Sequence, residues 1–466
     1  MENNRQVFDT ERLVPTYFRQ ALPVVLNLIV SLVYNLADTW FIARTGDTML
    51  VAGVSLCGPL FMMLMAIGNI FGQGGSSLIA RRLGSGDRDG VRRISAYCFY
   101  TAILCGAVIA AALLCFRQPV LSLLGADAET ATHAEAYYTV LSAGAPVCIL
   151  TFIHSNLLRS EGMAVESVVG TIAGSVLNII LDPIMISVLG WGARGAAVAT
   201  VLGYVLTDVL YVLIVRKKSR FLSMDPRNMH TSGEEKKQIY SIGITAAITN
   251  IASSVCMVFM NQFLLTYGND KIAALGIVTR IVMIVQLVLV GFSFGGVPLF
   301  GYLYGARERE KMKKLLRFCV TFLCSLGAGL SLVIFLLAEP MVRVFMNDPA
   351  ILKAGAEMLR WQVSGMVFVA VVLLFTCLYQ STGKPVKALI MSLSRQGVLF
   401  LAVFLIATAA AGYSGFLAAQ PAADLLSAGL ALGLYKAGQE REEQETCTGS
   451  FKAGVEWRTE KEKEGR

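Results

Sequence analysis

The chain has 466 residues, of which 55% are hydrophobic and 15% charged, with a net charge of +8 and a mean hydropathy of +0.62. A soluble domain carries about 25% charged residues. This composition excludes a disordered chain, a nucleic-acid-binding domain and an ordinary cytosolic enzyme, because uncharged stretches of ~20 residues, each long enough to cross a bilayer, recur along the whole sequence.

The apolar runs between charge clusters predict twelve spanning helices, at 14–43, 47–79, 94–116, 132–158, 163–188, 193–215, 239–267, 271–303, 315–338, 352–380, 386–410 and 413–435. An N-terminal arm, a polar linker at 216–238 and a charged tail from 437 remain. The tail, with Glu440, Arg441, Glu442 and Glu443 near its start, reads as solvated and disordered. Glu2 to Arg19 is mixed-charge and the run after it is long enough to span, so no cleavable signal peptide is expected. Of ten cysteines, nine lie inside apolar runs and none forms a CxxC pair. They read as small buried hydrophobes rather than metal or redox groups.

Lys and Arg gather after even-numbered spans: Arg81, Arg82, Arg88, Arg92 and Arg93; then Arg216, Lys217, Lys218 and Arg220; then Arg307, Arg309, Lys311, Lys313 and Lys314. Loops after odd spans hold few, such as Arg44, Arg117 and Arg194. The expected protein is therefore a multi-pass protein of the cell (inner) membrane with both termini cytoplasmic.

An internal repeat runs through the spans. Shifting residues 72–162 by 221 positions places Gly74, Gly75, Gly84, Gly144 and Gly162 on Gly295, Gly296, Gly305, Gly365 and Gly383. That stretch contains ten glycines, and chance alone gives about one coincidence. Asp127 also meets Asp348, and Ser160 meets Ser381. Six helices per copy is an even number, so both copies insert the same way round. The expected fold is an all-α polytopic membrane protein with twelve transmembrane helices in two six-helix lobes. A pseudo-twofold along the membrane normal relates the lobes, and the substrate path runs between them. The boundaries read as 1–215 for the N-terminal lobe, 216–238 for a cytoplasmic linker, 239–436 for the C-terminal lobe and 437–466 for the tail.

Ionisable residues inside spans are the informative ones, since each costs about 2.5–3.5 kcal/mol at a helix centre. Asp38, Asp182 and Asp208 belong to the N-terminal half; Arg280, Glu357, Arg360, Arg395 and Asp424 belong to the other. Asp38, Asp182 and Thr200 each lie six to eight residues from the outer end of a span. At 1.5 Å per residue that is a common depth of roughly 9–12 Å. Asn178 and Asp182 are i, i+4 and share a helix face. Pro183 cannot bond the carbonyl of Ile179, which leaves a further oxygen beside the carboxylate. Asp38 has Tyr34, Asn35 and Thr39 as close neighbours in sequence. Such oxygens suit Na⁺, and two buried carboxylates equally suit a proton. The blander reading is a pair of Asp tying helices together. Asp208 reads as approaching the cytoplasmic interface, His154 as hydrogen-bonded core, and Glu357 with Arg360 as a local pair. Asp424 is expected to pair within its lobe, with Arg280 and Arg395 as candidates. Met257, Met260 and Met283, with Asn261 and Gln262 as polar points, form a candidate apolar substrate lining.

The stretches Tyr34-Asn-Leu-Ala-Asp-Thr, Gly72-Gln-Gly-Gly-Ser-Ser, Leu177-Asn-Ile-Ile-Leu-Asp-Pro, Gly195-Ala-Ala-Val-Ala-Thr and Tyr379-Gln-Ser-Thr-Gly-Lys-Pro carry a family resemblance. Over nearly all of 14–435 the chain resembles the multidrug and toxic compound extrusion (MATE) transporters, especially the prokaryotic branch. The resemblance implies two V-shaped lobes and antiport by alternating access. Amphipathic, often cationic drugs or toxic metabolites would leave as H⁺ or Na⁺ enters. It implies a cation-coupling site at Asp38, Asn178, Asp182 and Thr200, with any Na⁺ held at Asp38, Asn178 and Asp182. It also implies a substrate pathway that includes Tyr34 and Asn156, to which Met260, Gln262 and Met283 are added from the lining above. Spans 7 and 8 hold no Asp or Glu, so a second acidic site like that of some family members is in doubt. A lipid-linked oligosaccharide flippase of the same superfamily is the alternative, and would be expected to show a more basic cavity. No HExxH or close His pair suggests an enzyme. The expected partners are a small-molecule drug or metabolite and the lipid bilayer, with no nucleic acid, no cofactor beyond the coupling ion, and a monomeric chain.

Overall fold

A backbone in hydrocarbon has no water to bond to, so each spanning segment closes its own hydrogen bonds as a helix. The computed structural model describes residues 7–127, 129–346 and 348–464, without the side chains of 246, 247, 250, 251, 254, 269 and 439–464. Its helices are α1 (Leu13–Arg44), α2 (Thr48–Leu56), α3 (Gly58–Ser85), α4 (Arg88–Cys115), α5 (Arg117–Leu123), α6 (Ala131–Ala143), α7 (Ala145–Ser160), α8 (Ala164–Pro183) and α9 (Gly192–Lys218) in the first half. The second half has α10 (Gly233–Leu265), α11 (Asn269–Gly295), α12 (Val297–Gly305), α13 (Arg309–Leu336), α14 (Ala338–Phe345), α15 (Pro349–Ser364), α16 (Met366–Ser381), α17 (Pro385–Gln396) and α18 (Val398–Glu464).

These helices combine into the twelve spans. Spans 2 and 8 are the broken pairs α2–α3 and α11–α12, each with a proline just after the break. Span 4 joins α6 to α7 through a 54° bend, and span 10 joins α15 to α16 through a 47° bend. The bends sit at Gly144 and Gly365, positions that the 221-residue repeat superposes. Gly412 leaves helical geometry at φ 56°, ψ −127°, and so divides α18 between spans 11 and 12. The charged tail that reads as disordered falls on residues whose side chains lie outside the description from 439 onward, while α18 as a helix extends to Glu464.

Span 7 begins inside the stretch read as linker. Ser232 and Glu235 form a reciprocal capping box that starts α10 at Gly233. Glu235 is buried and pairs with Arg82 at 3.2 Å and Arg93 at 3.7 Å. The rest of the linker is tied to the first lobe. Glu161 accepts the backbone N–H of Arg220 at 2.8 Å and of Phe221 at 3.1 Å, and Tyr100 donates to the Met224 carbonyl at 2.8 Å.

The lobes meet through glycines. A methyl on Gly84 would overlap the carbonyl oxygen of Tyr302, and a methyl on Gly305 would overlap that of Arg81. Each residue of the first contact is the 221-residue equivalent of one in the second, so the pseudo-twofold axis passes through this crossing. Gly74 abuts Ile239, Gly243 abuts Ile70, Gly291 abuts Val25 and Gly295 abuts Ala21. Removing every Cβ from these crossings lets backbones pack directly, which drives helix association where the hydrophobic effect is absent. Polar contacts reinforce the seal: Ser77 Oγ donates to the Gln380 carbonyl at 2.5 Å, Arg81 to Gln238 at 3.2 Å and Tyr17 to the Phe292 carbonyl at 2.8 Å. Phe8 of the N-terminal arm is buried against Tyr302.

All these approaches lie in the halves of the helices nearer the basic loops, here called the basic end. Toward the other end, α1 exposes Leu36 and Trp40, and α11 exposes Met283 and Ile284. The lobes therefore touch at the basic end and part away from it.

Gly84→Val should strain this crossing by about 1–3 kcal/mol, the usual cost of overpacking. Purified protein should show a lowered thermal unfolding midpoint. Gly429→Ala, where an added methyl meets nothing within 4 Å, should leave the midpoint unchanged.

Candidate functional site

Four expected residues converge in the N-terminal lobe. Gly174 of α8 and Gly203 of α9 let these helices approach closely; a Cβ on Gly203 would stand 2.8 Å from the Gly174 carbonyl oxygen. That contact sets Asn178 against Thr200. The Asn178 amide donates to Asp182 Oδ1 at 3.3 Å and to Thr200 Oγ1 at 3.4 Å. Asn178, Asp182 and Thr200 are buried. Asp38 on α1 brings its carboxyl to that of Asp182, and the Tyr34 hydroxyl reaches Thr200. Pro183 ends α8, and the next turn, Ile184–Val188, widens into a π-turn closed by Leu189 N–H to the Ile184 carbonyl at 2.8 Å. Such turns interrupt the regular pairing of carbonyls beside a site.

The distribution of partners matters most here. Asp38 Oδ1, Asn178 Oδ1 and Asp182 Oδ2 are buried acceptor oxygens with no donor among the described residues. In a buried setting an acceptor without a partner is expensive. Three of them in one cluster suit a species that supplies positive charge, either a proton or a small hard cation. Thr39 and Asn35, sequence neighbours of Asp38, bond the carbonyls of Asn35 and Ser31 in their own helix instead.

The other charges follow the sequence reading in part: Asp424 pairs with Arg395 and His154 is hydrogen-bonded core, while Asp208, Arg280 and Arg360 have other surroundings than expected. Asp208 is buried and bonds His154 Nδ1 at 3.3 Å, a partner the sequence reading did not assign to it. Arg395 pairs with Asp424 at 3.2 Å, and Gln420 donates to the same carboxylate oxygen at 3.2 Å. Arg280 is exposed. Arg360 donates to the Phe335 carbonyl at 3.4 Å and lies over the Phe335 ring.

Between the lobes, just above the seal, lies a cavity of about 350 Å³. Tyr34 and Asn156 line it with Asn27, Gln73, Phe294 and Gln380. Arg159 also lines it, and its guanidinium holds Asn156 Oδ1 at 2.6 Å. Sequence reasoning missed part of this wall, although its signal was present. Gln20, Asn27, Ser31, Tyr34 and Asp38 recur at helical spacing along one face of α1. The methionines belong elsewhere. Met257, Met260 and Met283 line a separate cavity of about 210 Å³ inside the C-terminal lobe, together with Arg395, Gln420 and Asp424. Gln262 is exposed and lines neither cavity. The rotation of α10 turns it away from Met260.

The sequence profile of the MatE family matches two segments of equal length, 23–184 and 245–406. A protein named multidrug export protein MepA from Staphylococcus saprophyticus is 29% identical over 395 residues, covering 85% of this chain and 87% of its own. A protein of the same name from Staphylococcus aureus strain MRSA252 is 30% identical over the same coverage. Among solved structures, a MATE protein in a bent conformation superposes with a TM-score of 0.86 at 25% identity, covering 94% of this chain and 98% of that one. A multidrug resistance MATE family transporter in an outward-facing conformation gives 0.84 at 25% identity, covering 95% and 98%.

The buried Arg395–Asp424 pair yields a stability prediction. Arg395→Met leaves a buried carboxylate uncompensated and should cost about 3–5 kcal/mol. Removing both charges, as Arg395→Met with Asp424→Leu, should recover most of the loss. Thermal unfolding of the three proteins in one detergent checks the order.

Proposed function

The chain belongs to the MatE family, and we propose that it exports small amphipathic molecules in exchange for H⁺ or Na⁺ bound in the N-terminal lobe. The observation that carries this reading is the cluster of donorless oxygens at Asp38, Asn178 and Asp182. It lies in the half of the lobe away from the seal, where a cation can arrive from the side on which the lobes part. The charge pattern of the loops supports a cytoplasmic basic end and an outer opposite end.

A proton or Na⁺ arriving from outside would neutralise the paired carboxylates and give the orphan oxygens a partner. The Asn178 amide and the Thr200 hydroxyl hold the two helices that flank the site. Binding would therefore change how α1, α8 and α9 pack, and α1 also runs down to the seal at Ala21 and Val25. Opening the seal would expose the cavity to the cytoplasm, which is alternating access by rocking of two lobes. The cavity suits a small molecule with apolar and hydrogen-bonding parts. Arg159, its one lining cation among the described residues, is already engaged by Asn156, which does not favour a lipid-linked oligosaccharide with its phosphates. The names of the staphylococcal relatives favour drugs as substrates.

Two measurements test this reading. Asp38→Asn and Asp182→Asn are nearly isosteric, and neither amide can take up a proton or balance a bound cation. Each should abolish gradient-driven efflux in proteoliposomes, under whichever of a Na⁺ or a pH gradient drives the parent. Their unfolding midpoints should match or exceed that of the parent, because a buried charge has been removed. Intact transport per folded molecule with lowered stability would make the pair a structural tie. Orientation is tested with a single cysteine at Arg88 or Arg220 in a cysteine-free background. Both should resist a membrane-impermeant thiol reagent in intact cells, and labelling at both would reverse the proposed direction.

A further inference from the structure

A second polar pocket lies at the basic end, away from the cation site and the interlobe cavity. It measures about 100 Å³ and is enclosed by α12, α13, α16, α17 and α18. Four cationic side chains line it, Arg309 and Lys313 from α13 with Lys384 and Lys387 at the start of α17, and no carboxylate does among the described residues. Two helices begin at this place, and neither N-cap residue, Glu308 or Lys384, makes a side-chain capping bond. The positive ends of both helix dipoles thus add to the four side chains. Lys384, Lys387 and Tyr435 hold further contacts of their own. Lys313 pairs with Glu310 at 3.4 Å, and Lys387 lies over the Tyr379 ring. The Tyr379 hydroxyl itself lines the pocket without a hydrogen-bond partner, on a side chain only 4% exposed.

The repeat provides an internal control. Shifted by 221 residues, Tyr379, Thr382, Lys384 and Lys387 correspond to Leu158, Glu161, Met163 and Glu166. In the first lobe that place is filled. Leu158 packs with Tyr211 and Val215 under Leu222 and Met224 of the linker, and Glu161 binds the linker backbone. The second lobe has exchanged two carboxylates and two apolar side chains for two lysines, a threonine and a tyrosine. One copy thus binds its own chain through carboxylate and apolar groups, and the other carries positive charge and a hydroxyl at the same place.

We propose that this pocket binds the phosphate of an anionic phospholipid. Four cations, helix N-termini and a donor hydroxyl are the chemistry of a phosphate site. The surroundings favour a lipid over a free ion. Val386 and Ile390 on α17 are exposed one turn apart, and Leu430 on α18 is exposed one turn from the lining residue Leu434. These apolar side chains continue from the pocket along the spans, where acyl chains would lie. The same turn also serves the seal. Gln380 accepts the Ser77 hydroxyl and Gly383 abuts the Arg81 guanidinium, between the pocket residues Tyr379 and Lys384. A bound phosphate would hold that turn and favour contact between the lobes at the basic end. The proposal rests on the orientation given above only for the leaflet that supplies the lipid.

The test uses the full chain purified in detergent and needs no transport, so its failure is distinguishable from failure of the exporter reading. Phosphatidylglycerol, phosphatidylcholine or inorganic phosphate is titrated while thermal unfolding is followed, and bound lipid is counted by native mass spectrometry. Phosphatidylglycerol should raise the midpoint saturably and phosphatidylcholine should not. Lys384→Gln with Lys387→Gln should weaken the phosphatidylglycerol effect by about tenfold or more, as expected for charge-assisted hydrogen bonds. Tyr379→Phe keeps the packing and should weaken it by roughly two- to tenfold. Arg194→Gln, at the other end of the molecule, should leave it unchanged. An equal phosphatidylglycerol effect in the pocket variants would overturn the proposal. So would inorganic phosphate acting at the same concentration as the lipid, which would mark a free-phosphate site. An effect that emerges only after truncation beyond Gly438 would also overturn it, with the acidic tail as the occupant.

Discussion

In the hydrocarbon layer a polar group finds its partner inside the protein or goes without. His154 meets Asp208, Arg395 meets Asp424, and the hydroxyls of Thr245, Thr249 and Ser253 turn back onto carbonyls of their own helix. Against that background, donorless oxygens at Asp38, Asn178 and Asp182 are costly. The cost is tolerable where an incoming ion or proton removes it for part of a cycle. The same economy separates the two lobes. The C-terminal lobe closes Asp424 as an ion pair with Arg395, while the N-terminal lobe leaves Asp38 and Asp182 side by side with the Asn178 amide as support.

The lobes are held together by a different kind of contact. Without a hydrophobic driving force between helices in lipid, close backbone packing and hydrogen bonds carry the association. The Gly84–Tyr302 and Gly305–Arg81 crossings supply the first, and Ser77, Arg81 and Tyr17 supply the second. This interface is confined to the basic end. The interlobe cavity lies directly above it and is closed by it on that side.

The pseudo-twofold also shows how two copies of one unit diverge. The bends at Gly144 and Gly365 and the crossings at Gly84 and Gly305 keep equivalent positions because they shape the backbone. Side chains that meet ligands or the linker differ. Asp38 and Asp182 have no acidic counterparts, and Glu161, which binds the linker, corresponds to Thr382, which lines the basic pocket.

Much of this was determined by the sequence alone. Span length and the absence of charge dictate helices, the fixed glycine offset dictates two parallel-inserted lobes, and Leu177-Asn-Ile-Ile-Leu-Asp-Pro places amide and carboxylate on one helix face. These are local, one-dimensional signals, and helical geometry translates them directly. The tertiary structure alone decided the partners. Asp208 was within reach of the interface by counting residues, yet helix rotation points it at His154, 54 positions earlier. Met260 and Gln262 are two residues apart, and the 100° turn per residue puts one in a cavity and the other on the surface. The start of span 7 at Gly233 depended on Glu235 finding Arg82 in another lobe. Which faces meet depends on how whole helices rotate and cross, and that is settled by packing among distant segments rather than by any window of the sequence.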